Sequence, residues 1–245
     1  MRGIAVLILL IATGTFLLAP NLFRPLLQPL AGQGAAIYDR ADLGALALSH
    51  LGLVAAALIP SAIVAIGFGI FVTRPAGAEF LPLSQAITSF GQTFPPVAVL
   101  ALTVPMLGFG ARPTILALFL YGLLPIFENT RTAFATLNPS VREAAAGIGM
   151  TSAQRLWRVE LPLALPLILQ GVRISAIIAL STATIGSTIA ARSLGEVIIA
   201  GLNTQNLALV MQGGLLTGAL AVLVSEAFGF AIRQISIGPG TRESA

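Results

Sequence analysis

The chain has 245 residues, 56% of them hydrophobic and 9% charged, with a mean hydropathy of +0.95. A soluble globular chain carries about 25% charged residues, so this one cannot build a water-facing surface over its length; most of it must face lipid or other apolar helices. Cysteine and lysine are absent, all 13 basic residues are arginine, and His50 is the one histidine. This composition excludes disulfides, thiolate metal sites, a two-histidine metal site, a Schiff-base lysine and a phosphate-loop Gly-Lys-Ser/Thr. In a soluble chain a net charge of +4 would point to nucleic acid; here it reads as arginine that orients a membrane protein, with no nucleic-acid partner.

Six apolar stretches reach, or nearly reach, the length that crosses a hydrocarbon core of about 30 Å. The first covers residues 3–19, 17 residues without a charge. It resembles a signal peptide after Arg2, but no clean small-x-small cleavage site follows, so an uncleaved span is expected. The second covers 44–72. The third, 83–107, is interrupted by Pro95-Pro96. The fourth covers 113–127, with Pro113 suited to a first helical turn. The fifth covers 163–190 and the sixth 207–232. Between these two, residues 191–206 contain an apolar piece too short to span, expected as an interfacial or re-entrant helix. No tandem repeat or linker divides the chain. The expected fold is a single all-α polytopic transmembrane domain over 1–245, because every backbone polar group in lipid must be satisfied within its own helix.

Six spans place both termini on one side. With that side cytoplasmic, Arg2, Arg74, Arg131, Arg142, Arg155, Arg158, Arg233 and Arg242 lie inside, and Arg24, Arg40, Arg112 and Arg192 lie outside. Arg173 falls within the fifth span. The excess supports cytoplasmic termini and a cytoplasmic loop at about 128–161.

That loop carries the most information. Asn138 is a good N-cap and Pro139 fits the first turn. Gly147 and Gly149 can end a helix in a left-handed conformation. Thr151 with Gln154 forms a capping-box pattern that starts a second short helix, whose far end Pro162 is expected to limit. Val141, Ala144, Ala145 and Ile148 recur at helical spacing and make one small-residue apolar face. Two readings stand: an amphipathic helix on the membrane surface, or a helix-turn-helix docked in a groove on a cytoplasmic partner. The alanines favour the partner, since they offer little area to lipid but allow close backbone approach.

Glu143-Ala144-Ala145, Gly147, Gly149, then Val159-Glu160-Leu161-Pro162-Leu163-Ala164-Leu165-Pro166 and Gly171-Val172-Arg173 resemble the EAA loop of ABC importer permeases. Val72-Thr73-Arg74-Pro75, Gly91-Gln92-Thr93-Phe94-Pro95-Pro96-Val97-Ala98, Gly108-Phe109-Gly110 and Leu123-Leu124-Pro125 extend the resemblance to permeases of quaternary-amine osmoprotectant importers. Within these the chain is most similar to the short permease of the low-affinity betaine systems of the Yeh/Osm type. The resemblance covers roughly residues 44–232. It implies a MetI-like fold in the bacterial inner membrane and a transport subunit without a catalytic site or cofactor of its own. It implies ATPase subunits beneath the membrane, a second permease chain in a heteromeric pair, and an extracytoplasmic solute-binding protein. The family's coupling contact maps onto Glu143, Ala144, Ala145 and Gly149, with Gly147 in the same turn. Related permeases often carry Gly-Gly before the Leu-Gly of the short segment after the fifth span. This chain has Arg192-Ser193 before Leu194-Gly195, so no gating role is carried over to it.

Other residues draw attention by their setting. Arg173 and Glu226 are ionisable within spans, and such residues are usually paired or functional; both lie towards the cytoplasmic side and can meet, the alternative being an Arg173 that snorkels to the surface. Ser181, Thr184 and Thr188 share a helical face, either bonded to their own backbone or forming a pathway wall. Gln92 and Thr93, just before the Pro95-Pro96 break, are a second candidate wall. His50 reads as a packed or interfacial histidine. Gly214 and Gly218 match GxxxG and suggest close packing. A quaternary ammonium is usually held by an aromatic cage; with Trp157 in the cytoplasmic loop and Tyr38 in an outer one, no cage is evident, and tight capture falls to the binding protein. An ABC importer permease for another small solute and an ion-coupled carrier are the alternatives. The carrier would usually show more intramembrane acids or an inverted repeat. An intramembrane enzyme lacks a convincing dyad, since neither His50 nor Glu226 has an evident catalytic partner.

Overall fold

A computed structural model describes residues 2–236, without the Arg2 side chain; Arg242 of the arginine count lies outside the described residues. Among the described residues the regular elements are helices: α1 (Arg2–Leu18), α2 (Arg24–Leu27), α3 (Leu43–Val72), α4 (Leu81–Thr93), α5 (Pro96–Leu107), α6 (Ala111–Ala135), α7 (Pro139–Gly147), α8 (Ser152–Arg155), α9 (Leu161–Ala183), α10 (Gly195–Asn203) and α11 (Leu207–Ser236). Four helices are long and apolar enough to cross a membrane alone: α3, α6, the run Ser152–Ala183 and α11. Two bent pairs raise the number to six if each is one span. They are Gly3–Leu18 with Pro20–Leu30, bent by 108°, and Ala78–Thr93 with Pro96–Leu107, bent by 94°.

The third apolar stretch is therefore not one crossing rod. Phe94 is extended (φ −101°, ψ 142°) before Pro95, as the residue before a proline prefers. Its carbonyl, released from any helix, accepts the Tyr121 hydroxyl of α6. The helix of the fourth stretch continues eight residues past Phe127, to Ala135, and Glu128 and Arg131 pair along it at 2.8 Å. The fifth stops at Ala183, and residues 185–189 form a 3₁₀ turn.

The core is the packing of α3, α6 and α9. On α3 the buried positions Leu46, His50, Leu53, Val54, Ala57, Ser61, Ala65, Gly69 and Val72 trace one helical stripe. Small residues along it let the backbones approach. At Gly122 of α6 the three helices meet: a Cβ there would lie 2.8 Å from Ser175 Oγ of α9 and 2.9 Å from Ser61 Oγ of α3. Ser61 donates to the carbonyls of Ala57 (2.8 Å) and Phe119 (2.9 Å), and Ser175 to that of Gly122 (3.1 Å). Each buried hydroxyl thus has a backbone acceptor, as an interior out of reach of water requires. His50 is fully buried, with Nε2 3.0 Å from the Leu180 carbonyl, so it is a packed histidine.

At the end of the bundle opposite α7, the loop before α3 is tied to α11. Asn206 Nδ2 donates to Ala35 O (2.9 Å), Gln212 Nε2 to Ala36 O (3.2 Å), and Tyr38 N–H to Gln212 Oε1 (3.0 Å). The short segment after α9 is α10, packed on α11 where Gly213 makes room: a Cβ there would sit 2.6 Å from Ile198 Cγ1. The GxxxG glycines, Gly214 and Gly218, are instead exposed, with no atom near either Cβ position. Close packing on this helix comes from the neighbouring glycine.

Replacing Gly122 with Leu is expected to lower stability by about 1–3 kcal/mol through overpacking, read as an earlier loss of the monodisperse peak after heating in detergent. An unchanged thermal profile would show that α3, α6 and α9 do not approach this closely.

Candidate functional site

Asn138 Oδ1 accepts the backbone N–H of Ser140 (3.0 Å) and its hydroxyl (2.9 Å), with Pro139 opening the first turn of α7. The helix ends in a Schellman arrangement: Met150 N–H reaches Ala145 O (3.2 Å) and Gly149 N–H reaches Ala146 O (2.9 Å). Gly149 takes the left-handed backbone, at φ +82°, whereas Gly147 remains the last helical residue.

The helix does not present its apolar positions as one face. Ala145 is 5% exposed and lies against its own chain. Val141, Ala144, Gly147 and Ile148 are exposed, as is Glu143. The cause is Arg142. It sits three positions before Ala145, on the same side of the helix, and its guanidinium donates to the Phe134 carbonyl at the end of α6. That edge, with Ala145, is drawn inward, and Ala144 with Ile148 is left outward.

Thr151 and Gln154 form the expected reciprocal cap, with bonds of 3.3 and 2.9 Å. Pro162 does not end the helix that follows. Residues Leu156–Glu160 widen into a π turn, Leu161 N–H bonds to Leu156 O, and the helix continues to Ala183. A proline lacks the N–H donor and crowds the carbonyl four residues back. Placed just after a widened turn, at the start of α9, Pro162 meets neither penalty in full.

The π turn carries Glu160, 4% exposed. Its Oε2 lies 2.5 Å from Arg74 Nη1, just past the end of α3, and its Oε1 3.5 Å from Arg142 Nε. Arg74 also stacks over the ring of fully buried Phe134, 5.1 Å from its centroid. One carboxylate at the start of α9 therefore joins α7 to the end of α3, and both of its arginines also touch Phe134 of α6. In the sequence Arg74 stands out only as an orienting arginine and as part of a motif, and Glu160 only as part of a motif. The available signal was an acid set directly before Leu161-Pro162 at the mouth of an apolar span, where an unpaired charge is costly. Its partners, distant in sequence, were not readable.

The other candidates are spread out. Gln92 and Thr93 are exposed beside the α4–α5 break; Gln92 Nε2 donates to Tyr121 O (3.3 Å) and Thr93 to Phe90 O (2.7 Å). Because α9 stops at Ala183, Ser181, Thr184 and Thr188 do not share one continuous α-helical face. Ser181 and Thr188 are exposed and Thr184 is half-buried. Their hydroxyls donate to the carbonyls of Ile177 (3.2 Å), Ser181 (2.7 Å) and Ile185 (2.7 Å). Among the described residues no hydrogen bond joins them to Gln92 or Thr93. Arg173 donates from Nε (2.9 Å) and Nη2 (2.7 Å) to Ser225 Oγ on α11, one position before Glu226. Tyr38 is buried, and that burial, followed by the charge of Glu196, raises its phenol above the ordinary value; Trp157 is 67% exposed at the opposite end of the bundle. Among the described residues no three His, Cys, Asp or Glu side chains form a group able to hold a metal.

Residues 65–237 match the family described as "Binding-protein-dependent transport system inner membrane component". The chain is 39% identical over 195 residues to the osmoprotectant import permease protein OsmY of Salmonella typhimurium, covering 80% of this chain and 83% of that one. It is 35% identical to OsmW of the same organism (74% and 86% covered). It is 36% identical to the choline transport system permease protein OpuBB of Bacillus subtilis (76% and 85% covered). In fold it is similar to the inward-facing MetNI methionine ABC transporter, with a TM-score of 0.69 at 21% identity over 77% of this chain and 93% of that one.

The Schellman ending depends on Gly149 for its backbone alone, since no atom lies within 4 Å of a Cβ placed there. Gly149→Val is expected to cost about 1–2 kcal/mol for the left-handed backbone and to speed limited proteolysis between α7 and α8. Gly149→Asn should be milder. Equal cleavage in all three proteins would contradict the assignment.

Proposed function

The chain belongs to the family of inner membrane components of binding-protein-dependent transport systems, and from that membership we propose that it is the permease of an ATP-driven importer of quaternary-amine osmoprotectants. The substrate class rests on one observation: relatives at 35–39% identity, matched over three quarters or more of their length, are named for osmoprotectant and choline transport. Glycine betaine, choline and carnitine share a fixed positive charge inside methyl groups. Such an ion is attracted by aromatic faces and takes weak contacts from hydroxyls such as Ser181, Thr184 and Thr188, a combination that suits passage. Gln92 and Thr93 form the second wall at the helix break, where irregular backbone is tolerated beside a cavity. Arg173 and Glu226 act as an intramembrane charge pair beside the α9–α11 contact.

The energy comes from separate ATPase subunits. In our reading the exposed edge of α7, with Glu143 at its rim and Ala144, Gly147 and Ile148 in contact, docks into an ATPase groove, and Gly149 sets the turn behind it. This places the α7 end of the bundle, and both chain termini, in the cytoplasm. The solute-binding protein then docks at the opposite end, around the 35–38 strap and α10. Two permeases from one organism, OsmY and OsmW, both resemble this chain, which supports pairing with a second, non-identical permease.

Uptake of labelled glycine betaine, choline and carnitine is expected only when this chain is expressed with its ATPase, binding protein and second permease; uptake by the permease alone would sink the ATP-driven reading. Ala144→Glu puts an unpaired charge in the docking contact, where a buried one costs several kcal/mol, and should abolish ATPase co-purification while insertion in the membrane is unchanged. Normal co-purification and uptake in that variant would favour a helix resting on the membrane surface.

A further inference from the structure

We propose that Glu160 is the positioning residue that carries movement of α7 into the transmembrane helices, by holding Arg142 of α7 and Arg74 of α3 at once. The proposal rests on the docking of α7 to an ATPase subunit. Three observations support it. The packing of α7 within its own chain is confined mainly to α8 and the π turn, so a displaced α7 pulls first on the segment that carries Glu160. Glu160 is buried at 4% exposure with one guanidinium on each oxygen, Arg74 at 2.5 Å and Arg142 at 3.5 Å. Both arginines also hold the same buried residue, Arg74 over the Phe134 ring and Arg142 at the Phe134 carbonyl.

The geometry gives each helix a link. Glu160 continues directly into α9 through Leu161. Arg74 stands two residues beyond α3. Phe134 belongs to the last turn of α6 and packs with Ala164 and Ile168 of α9. A push on α7 therefore reaches α3, α6 and α9 together, and these three form the core. Without the carboxylate, Arg74 and Arg142 face each other as like charges around Phe134, and the loop loses this ionic tie to the end of α3.

The test uses the complete transporter in proteoliposomes, with glycine betaine as the solute. Variants Glu160→Gln, Arg74→Gln and the double variant are compared for ATPase co-purification, for stimulation of ATP hydrolysis by loaded binding protein, and for uptake. Both single variants should retain the ATPase subunits yet lose stimulation and uptake about tenfold, the scale of a coupling free energy between sites. The double variant should be no worse than either single one, because the pair acts as a unit. Arg74, with a side chain 29% exposed, serves where Glu160→Gln fails to assemble. Intact stimulation, additive losses, or loss of ATPase co-purification in step with loss of uptake would each overturn the proposal. A wild-type permease that retains no ATPase subunit would overturn the docking reading, and this proposal with it.

Discussion

A carboxylate buried at the mouth of an apolar helix bundle sets the terms for everything near it. The burial of Glu160 calls for cationic partners, since transfer of an unpaired carboxylate out of water is prohibitive. The end of α3 supplies one guanidinium and α7 the other. The two halves are unequal. Arg74 is at 2.5 Å and 29% exposed, whereas Arg142 is at 3.5 Å and 38% exposed, so distance more than exposure separates them, and water screens part of both. Removing a partner is costly when the group left behind is buried, and the nearer guanidinium, Arg74, carries the larger share of the pairing, reduced by its own partial exposure. Arg142 contributes by geometry, fixing which edge of α7 turns inward.

The same constraint, that polar groups away from water need partners inside the chain, shapes the bundle. Ser61 and Ser175 sit where α3, α6 and α9 come closest, and both donate to backbone carbonyls. Lipid gives little hydrophobic drive for helices to associate, so close packing and these bonds hold them together. Breaks in the helices follow the same rule. The Phe94 carbonyl released at the α4–α5 bend takes the Tyr121 hydroxyl. Past α9, Ser193 Oγ donates to Ala183 O (3.3 Å) and accepts Gly195 N–H (3.0 Å). That buried knot gives a physical use to the serine standing where related permeases often carry glycine.

Local signals were legible in the sequence and long-range ones were not. Asn138, Pro139, Thr151 with Gln154, and Gly149 act within a few residues, and each appears in the structure in its expected role. The apolar stretches were readable because their composition alone sets them apart. The 94° bend was not: Pro95-Pro96 announces an interruption but says nothing of its angle, which depends on α6 supplying Tyr121. Pro162 misled for the opposite reason, because a π turn absorbed it. Ala145 fitted an apolar face by period, yet its side of the helix is decided by Arg142 reaching Phe134, a contact the period does not carry. The Glu160 ion pair with Arg74 spans 86 positions of sequence; the acid beside an apolar span was a local signal, but its partner was not.

The central claim is that α7 has one edge anchored to its own chain and the opposite edge free for a partner. The chain has no cysteine, so single cysteines at 144 and 145 can report on each edge against a silent background. The measurement is the rate of maleimide labelling in membranes, with and without the ATPase subunits. The account predicts fast labelling of Ala144→Cys that slows when the ATPase is present, and slow labelling of Ala145→Cys in both cases. Fast labelling of Ala145→Cys beside a protected Ala144→Cys, in the permease alone, would contradict it.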